Sequence, residues 1–314
     1  MATPTSNLLY LRGFSPGVTG LNWPQILLNS AVTGSLYLIS AISLTLVYGL
    51  AKFPNFAHAE IMSLGGFMGF WISEQLGAPL PVAFLVAFIS AGIAGFLSYR
   101  LIFKPLSDKG ASLIHLMVAS MALGFILRHT EGQIWGFAPL TFQKIVWPSW
   151  EVGSVHITLD WIILIATAIL IGIALHFMMT RTKIGKAIRA TASNPKLALS
   201  SGINTTRVLV ITWFVSAGLA GIAGLFRGVE TRVSPYLGWD ILLPTFAVAM
   251  LGGIGSFYGA MVAAIIIGLA ENIGVVLLAQ AGLSTDYRMA IPFIILIAVL
   301  IFRPQGLAKA FKGN

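Results

Sequence analysis

The chain has 314 residues, of which 57% are hydrophobic and only 9% charged, and its net charge is +9. Charged residues make up about a quarter of an ordinary water-soluble globule, so a mean hydropathy of +0.89 excludes that class and indicates a polytopic membrane protein. The absence of cysteine removes disulfides, thiolate metal sites and cysteine nucleophiles together.

The opening stretch, MATPTSNLLYLRGFSPG, lacks the basic head and uninterrupted apolar run of a cleaved signal peptide, which leaves insertion to the spans and residues 1–24 as an external segment. A span needs roughly 20 mainly apolar residues. In chain order, candidates lie at 25–51, 56–76, 80–103, 111–128, 159–179, 207–227, 257–279 and 286–302. A further piece, DILLPTFAVAMLGG at 240–253, is short and ends in glycines. In lipid every backbone polar group must find its partner within the protein. The predicted fold is therefore all-α, a polytopic membrane helix bundle of eight to nine spans, some broken or short, in one transmembrane domain over 1–314.

Lysine and arginine gather on the cytoplasmic side. The link from 180 to 207 carries Arg181, Lys183, Lys186, Arg189, Lys196 and Arg207 and no carboxylate, so it is predicted to be cytoplasmic. Lys52, the Arg100/Lys104/Lys109 group and the tail 303–314 should share that side; if 240–253 crosses, nine crossings put the N-terminus outside and the tail inside. A re-entrant 240–253 would put the basic tail outside, so crossing is expected. The links 129–158 and 228–240 mix both signs and carry aromatic residues, as an external face would. The positive charge is thus a topology signal and requires no nucleic acid.

Within the basic link, Asn194-Pro195 is a helix start, because Asn caps free amides and proline fits the first turn. Lys196 to Ser201 can continue that helix, Gly202 suits the left-handed position after its end, and Lys186 to Ala192 offers another short helical piece. Two uses fit: a basic loop resting on anionic membrane lipid, or a docking helix for a cytoplasmic partner.

The stretch GKAIRATASNPKLALSSGINTTRV, 185–208, resembles the cytoplasmic coupling loop of the branched-chain amino acid ABC-importer permeases, the LivH/LivM family. YGLAKFPNFAHAEIMSLGGFMG, 48–69, and MLGGIGSFYGAMVAAIIIGLAEN, 250–272, are similar to that family's early Asn-Phe-Ala-His segment and late glycine-rich segment. The early motif departs at Ala59 and Glu60, where the family pattern has Gly and Asp. The resemblance implies a permease subunit in a prokaryotic cytoplasmic (inner) membrane that pairs with a second permease, identical or paralogous, to form the translocation pathway. It implies that two cytoplasmic ATPases dock on the loop 180–206, through Lys186, Arg189, Asn194, Leu197, Ala198, Gly202, Ile203 and Asn204. An extracytoplasmic binding protein would deliver a branched-chain or related small amino acid. This chain would bind no cofactor, ATP and Mg being used by the ATPases.

Candidate pathway residues come from polarity out of place. Glu271 sits mid-run in AAIIIGLAENIGVVLL, where an ionised carboxylate costs about 2.5 to 3.5 kcal/mol by insertion scales. With Asn272 it either faces a cavity or bonds a neighbouring helix. Asn55, His58 and Glu60 follow the interruption at Pro54 and form either part of the pathway or an interfacial turn. Gly252 and Gly253, with Gly65, Gly66 and Gly255, serve bending or tight helix packing. FAHAEIMSLGG at 56–66 echoes FAVAMLGG at 246–253, and under nine crossings the two run in opposite directions, as inverted repeats do. The five histidines are scattered without ligand spacing, so no metal site is expected. No G-x-x-x-x-G-K-[ST], nucleophile elbow or zinc-protease helix occurs, which makes enzyme the least fitting class. The competing classes are an ion-gradient-driven secondary transporter with Glu271 or Glu60 carrying a proton, and a passive channel for a small neutral solute such as urea or a short amide.

Overall fold

The computed structural model describes residues 22–143, 147–253, 255–302 and 306–307. The expectations for the segment 1–21 and for Arg303, Lys309 and Lys312 lie outside those residues.

Helix α1, Trp23–Ala51, starts where the Asn22 side chain accepts the Gln25 N–H and Pro24 occupies the first turn. It stops at Lys52, which takes a left-handed φ of 62°, and Pro54 shortly after cannot rejoin the ladder. Helix α2, His58–Phe70, runs on into a π-helical turn, Trp71–Gln75. Helix α3, Leu80–Ser98, continues through a second π-helical turn to Asp108. Helix α4, Leu113–Trp135, leads to a hairpin of β1, Ser149–Val152, and β2, Val155–Thr158, in antiparallel register. Then follow α5, Leu159–Arg181, the two short helices α6, Lys183–Ser193, and α7, Pro195–Ser200, and α8, Thr205–Glu230. The chain closes with α9, Leu237–Gly252, α10, Phe257–Gln280, a 3-10 turn at Thr285–Met289 and α11, Ala290–Phe302. Among the described residues, seven helices are long and apolar enough to cross a membrane, and α9 is a shorter apolar helix.

Several boundaries move from the sequence reading. The span 111–128 becomes Leu113–Trp135, because Arg128 and Glu131 are taken into the bundle rather than ending it. The span 80–103 extends to Asp108, and 240–253 begins earlier, at Leu237. The link 129–158 contains the hairpin, a small β element added to an otherwise helical bundle.

Contacts sort the ends of the helices onto two faces. On one, the hairpin is pinned to the start of α1, with His156 N–H donating to Gln25 Oε1 at 2.7 Å and Asn22 Nδ2 to Ser154 O at 2.6 Å. Leu140 and Val233 exchange backbone hydrogen bonds on the same face, just after α8. On the other, the end of α5 meets the start of α10 through His176 and Tyr258, 2.5 Å apart. The Leu307 N–H donates to Leu251 O at 2.7 Å, and Gly255 lies beside Gly49 at the end of α1. Helix α9 therefore runs from the hairpin side to the opposite face and α10 returns, the direction that nine crossings require. The basic link and residues 306–307 share the second face.

Helices α1 and α8 are mostly buried, whereas α5 and α11 present long apolar flanks outward. With lipid outside instead of water, helices are held by close van der Waals approach rather than by expulsion of water, and small residues make that possible. A Cβ on Gly65 would lie 2.2 Å from Gly221 Cα, and one on Gly224 would lie 1.8 Å from Met62 O. The backbones of α2 and α8 are thus in direct contact. Gly95 fits against Ala217 in the same way, bringing α3 to α8.

Gly224→Val should destabilise the protein severely, because the α2 backbone has to retreat, whereas Gly172→Ala, where an added Cβ meets nothing within 4 Å, should be neutral. Melting of the purified protein in detergent should separate the two variants by about 1.5 °C or more, the shift expected in a chain of this size from an overpacking cost of at least ~1 kcal/mol.

Candidate functional site

Two helix starts meet inside the bundle. After Lys52 the chain leaves the helix over residues 53–57, closing with a turn at 56–57 before α2 begins, and residues 53–57 are buried or half-buried. Phe53 packs on Phe103 with ring centroids 5.3 Å apart, and Phe103 stacks on Trp213 at 4.9 Å. The freed backbone is partly satisfied by α4, where Ser120 Oγ accepts the Phe56 N–H at 3.0 Å. Opposite, α9 starts against the first turn of α2. Gly238 N–H donates to Ser63 Oγ at 3.0 Å, and a Cβ on Gly238 would fall 1.8 Å from Ala59 O. Only glycine allows that approach.

Glu60 lies at this junction, fully buried, in the first turn of α2. The positive ends of two helix dipoles favour an anion there. The main partner is a cation from α4: Arg128 Nε donates to Glu60 Oε1 at 3.0 Å, its Nη2 donates to the same oxygen, and so does Trp239 Nε1. The guanidinium also lies over the rings of Trp239, Tyr236 and Phe125, at 4.8, 5.2 and 5.7 Å. A recess lined by Phe56, Met121, Gly124, Phe125, Arg128 and Trp239 opens beside the pair. Glu131, one turn beyond Arg128, is buried on the same helix.

Of the predicted residues, Asn55, His58 and Glu60 are brought together at the break. Asn55 is 2% exposed, and neither its Oδ1 nor its Nδ2 has a hydrogen-bond partner. His58 faces α1, with Nε2 2.8 Å from Ser43 Oγ. Glu271 lies elsewhere: Tyr37 OH donates to its Oε2 at 2.6 Å, tying α10 to α1. Asn272 reinforces that tie through Thr33 Oγ1 at 3.1 Å. Gly252 and Gly253 sit at the tight turn between α9 and α10, about 21 Å of helix from Gly238. A Cβ on Gly252 would meet Ala260 N at 2.5 Å, so this glycine packs helices together. The echo between 56–66 and 246–253 corresponds to helices of opposite direction whose phenylalanines touch, Phe56 and Phe246 being 5.6 Å apart.

Sequence reasoning missed Arg128, Glu131 and Trp239. A signal was present, since Ser120, Gly124, Arg128 and Glu131 fall at spacings of four, four and three, a small and polar stripe down one helix face.

The basic link forms the second candidate surface. Asn194 closes α6 and caps α7, its side chain accepting the Leu197 N–H at 3.0 Å, and Gly202 has φ 81°. Asn204 caps α8 by accepting the Arg207 N–H at 2.9 Å. Ala198 is buried and Ile203 half-buried, so these two seat the loop on the bundle. Lys186 and Arg189 are exposed, and Leu197 and Leu199 are 63% and 62% exposed, an apolar pair within a basic rim.

Residues 26–300 match the family described as branched-chain amino acid transport system / permease component. The chain is 33% identical over 296 residues to the high-affinity branched-chain amino acid transport system permease protein LivH of Salmonella typhimurium, covering 90% of this chain and 94% of the relative. It is 28% identical over 297 residues to the permease protein BraD of Pseudomonas aeruginosa, with coverage of 90% and 94%. Against the probable permease LivH of Methanocaldococcus jannaschii it is 30% identical over 295 residues, with coverage of 90% and 91%. The matched region contains the broken helix, the polar junction and the capped basic link, and the chain belongs to the family of branched-chain amino acid transport permease components.

Proposed function

We propose that this chain is the pathway-forming subunit of an ATP-binding cassette importer for branched-chain amino acids in a prokaryotic cytoplasmic membrane. The observation that carries the reading is the α6–α7 pair, a capped and exposed apolar patch with a basic rim on a bundle otherwise built for lipid. Such a patch suits a soluble partner that packs on Leu197 and Leu199 while Lys186, Arg189 and Lys196 steer it. Two cytoplasmic ATPases, using ATP and Mg, dock there. A second permease subunit, identical or paralogous, completes the pathway, and an extracytoplasmic binding protein hands over the substrate. The relatives' names support the amino-acid cargo. The junction of α2 and α9 lines the pathway, because unwound backbone and helix ends at membrane depth belong where protein or water shelters them.

Purified permease in liposomes with its ATPases and binding protein should accumulate leucine, isoleucine or valine only when ATP is present. Accumulation driven by a proton or sodium gradient alone would overturn the reading. Leu197→Asp combined with Leu199→Asp should leave insertion unchanged, since both side chains are exposed. It should cut ATP-driven uptake by about tenfold or more and release the ATPases in co-purification, as expected when an interface loses well over ~1.4 kcal/mol.

Arg128→Met strands the Glu60 carboxylate and should cost about 3–5 kcal/mol of stability. The double variant Arg128→Met with Glu60→Gln should recover most of that stability in a melting assay. If the pair lines the pathway, the double variant should still fail to transport; normal uptake would make the pair purely structural.

A further inference from the structure

The ion pair leaves a carboxylate over. Glu131 lies three residues after Arg128 on α4, is 2% exposed, and has both carboxylate oxygens buried without a hydrogen-bond partner. It interacts electrostatically with Arg128 and with Glu60. One guanidinium thus stands between two buried carboxylates, and here Glu60 holds it. Residues three apart on a helix are neighbours on its surface, so Glu131 is within the swing of the Arg128 side chain. Were the guanidinium to turn, Glu60 would keep the Trp239 Nε1–H donor and its place in the first turn of α2.

The seam that the pair closes is built differently from the one between α2 and α8. A Cβ on Gly124 of α4 would lie 3.6 Å from Ala57 Cα and from Glu60 Cγ, an ordinary van der Waals distance, whereas the same construction across α2 and α8 gives 2.2 and 1.8 Å. Val118, Met121, Phe125 and Ile126 of α4 are exposed. The bonds from α4 to α2 and the break before it are polar, Ser120 Oγ with the Phe56 N–H and Arg128 with Glu60, and polar bonds can be exchanged. If α4 parts from α2, an arginine left inside the membrane without a carboxylate is costly. We propose that Glu131 is a positioning residue: it takes the Arg128 guanidinium over from Glu60 when α4 parts from α2, so that the cation stays paired through the movement. The occasion of the movement, ATP-driven transport, rests on the importer reading above; the two seats of Arg128 do not.

Melting of the purified full-length permease in detergent tests the two seats without ATP. Glu131→Gln in the wild-type chain should leave the melting temperature no lower, because it removes a buried charge that has no partner. The same substitution in a Glu60→Gln chain should lower it by about 3 °C or more, or prevent folding, because Arg128 then loses its remaining seat. A residue that only packs shifts melting in the same direction and by a similar amount in both backgrounds; that result, or a Glu131→Gln chain that fails to fold, would overturn the proposal. The movement is read from Ser120→Cys, which places one thiol in a chain without cysteine, at a position with no exposure. While the reconstituted complex takes up leucine with ATP, methyl methanethiosulfonate should modify that thiol about tenfold faster than at rest. Glu131→Gln should remove the acceleration and cut uptake about tenfold, and Glu131→Asp should keep part of both. Labelling and uptake left unchanged by Glu131→Gln would overturn the exchange. Absence of ATP-driven uptake in the wild type would instead remove the importer reading and leave the melting comparison to decide on Glu131.

Discussion

A carboxylate placed at an interrupted helix inside a membrane protein needs a cation, and the pairing of Glu60 with Arg128 supplies it. Helix α2 starts late because Pro54 and the left-handed Lys52 break the chain. The break frees backbone groups that lipid could not satisfy. Ser120 from α4 takes one of them, the Phe56 N–H, while Gly238 and Trp239 from α9 and Arg128 from α4 bond the Ser63 and Glu60 side chains at the start of α2. Remove the ion pair and three elements lose the one residue they all address. A break of this kind persists only because the surroundings fix it, which is why so many small residues converge on the junction.

Two polar groupings in the bundle follow opposite rules. Between α1 and α10, Tyr37, Glu271, Asn272 and Thr33 bond one another, and the set behaves as a tie between two helices. At the junction of α2 and α4, the Asn55 and Glu131 side chains are equally buried and make no hydrogen bond. Buried polar atoms are almost always partnered in native proteins, so the contrast separates polarity that holds the fold from polarity kept for something else.

What could be read from sequence was what is locally determined. The cap at Asn194 and the left-handed Gly202 are set by the local chain, and both were legible from residue type and position. The long spans were legible by length. Arg128 and Glu131 were not, because a charge at the end of an apolar run reads as a boundary unless its partner is known, and that partner is 68 residues away from Arg128 in the chain. Glu271 shows the same limit from the other side: sequence demands a partner for it, yet only the fold names Tyr37. The hairpin escaped because β1 is wholly exposed and β2 evenly half-buried, so neither strand has the alternation by which strands are recognised.

The glycine contacts between α2 and α8 have a mechanical meaning. Where two helices touch through side chains, a layer of rotatable groups can absorb sliding; where main chain rests on main chain there is nothing to shear. Residues 65 and 221, and 62 and 224, are welded in this sense. Since α8 begins directly at the Asn204 cap, with no slack between it and the basic link, a tilt imposed at that end turns α8 as a stiff crank. Glu60, one turn before the weld, has to travel with it.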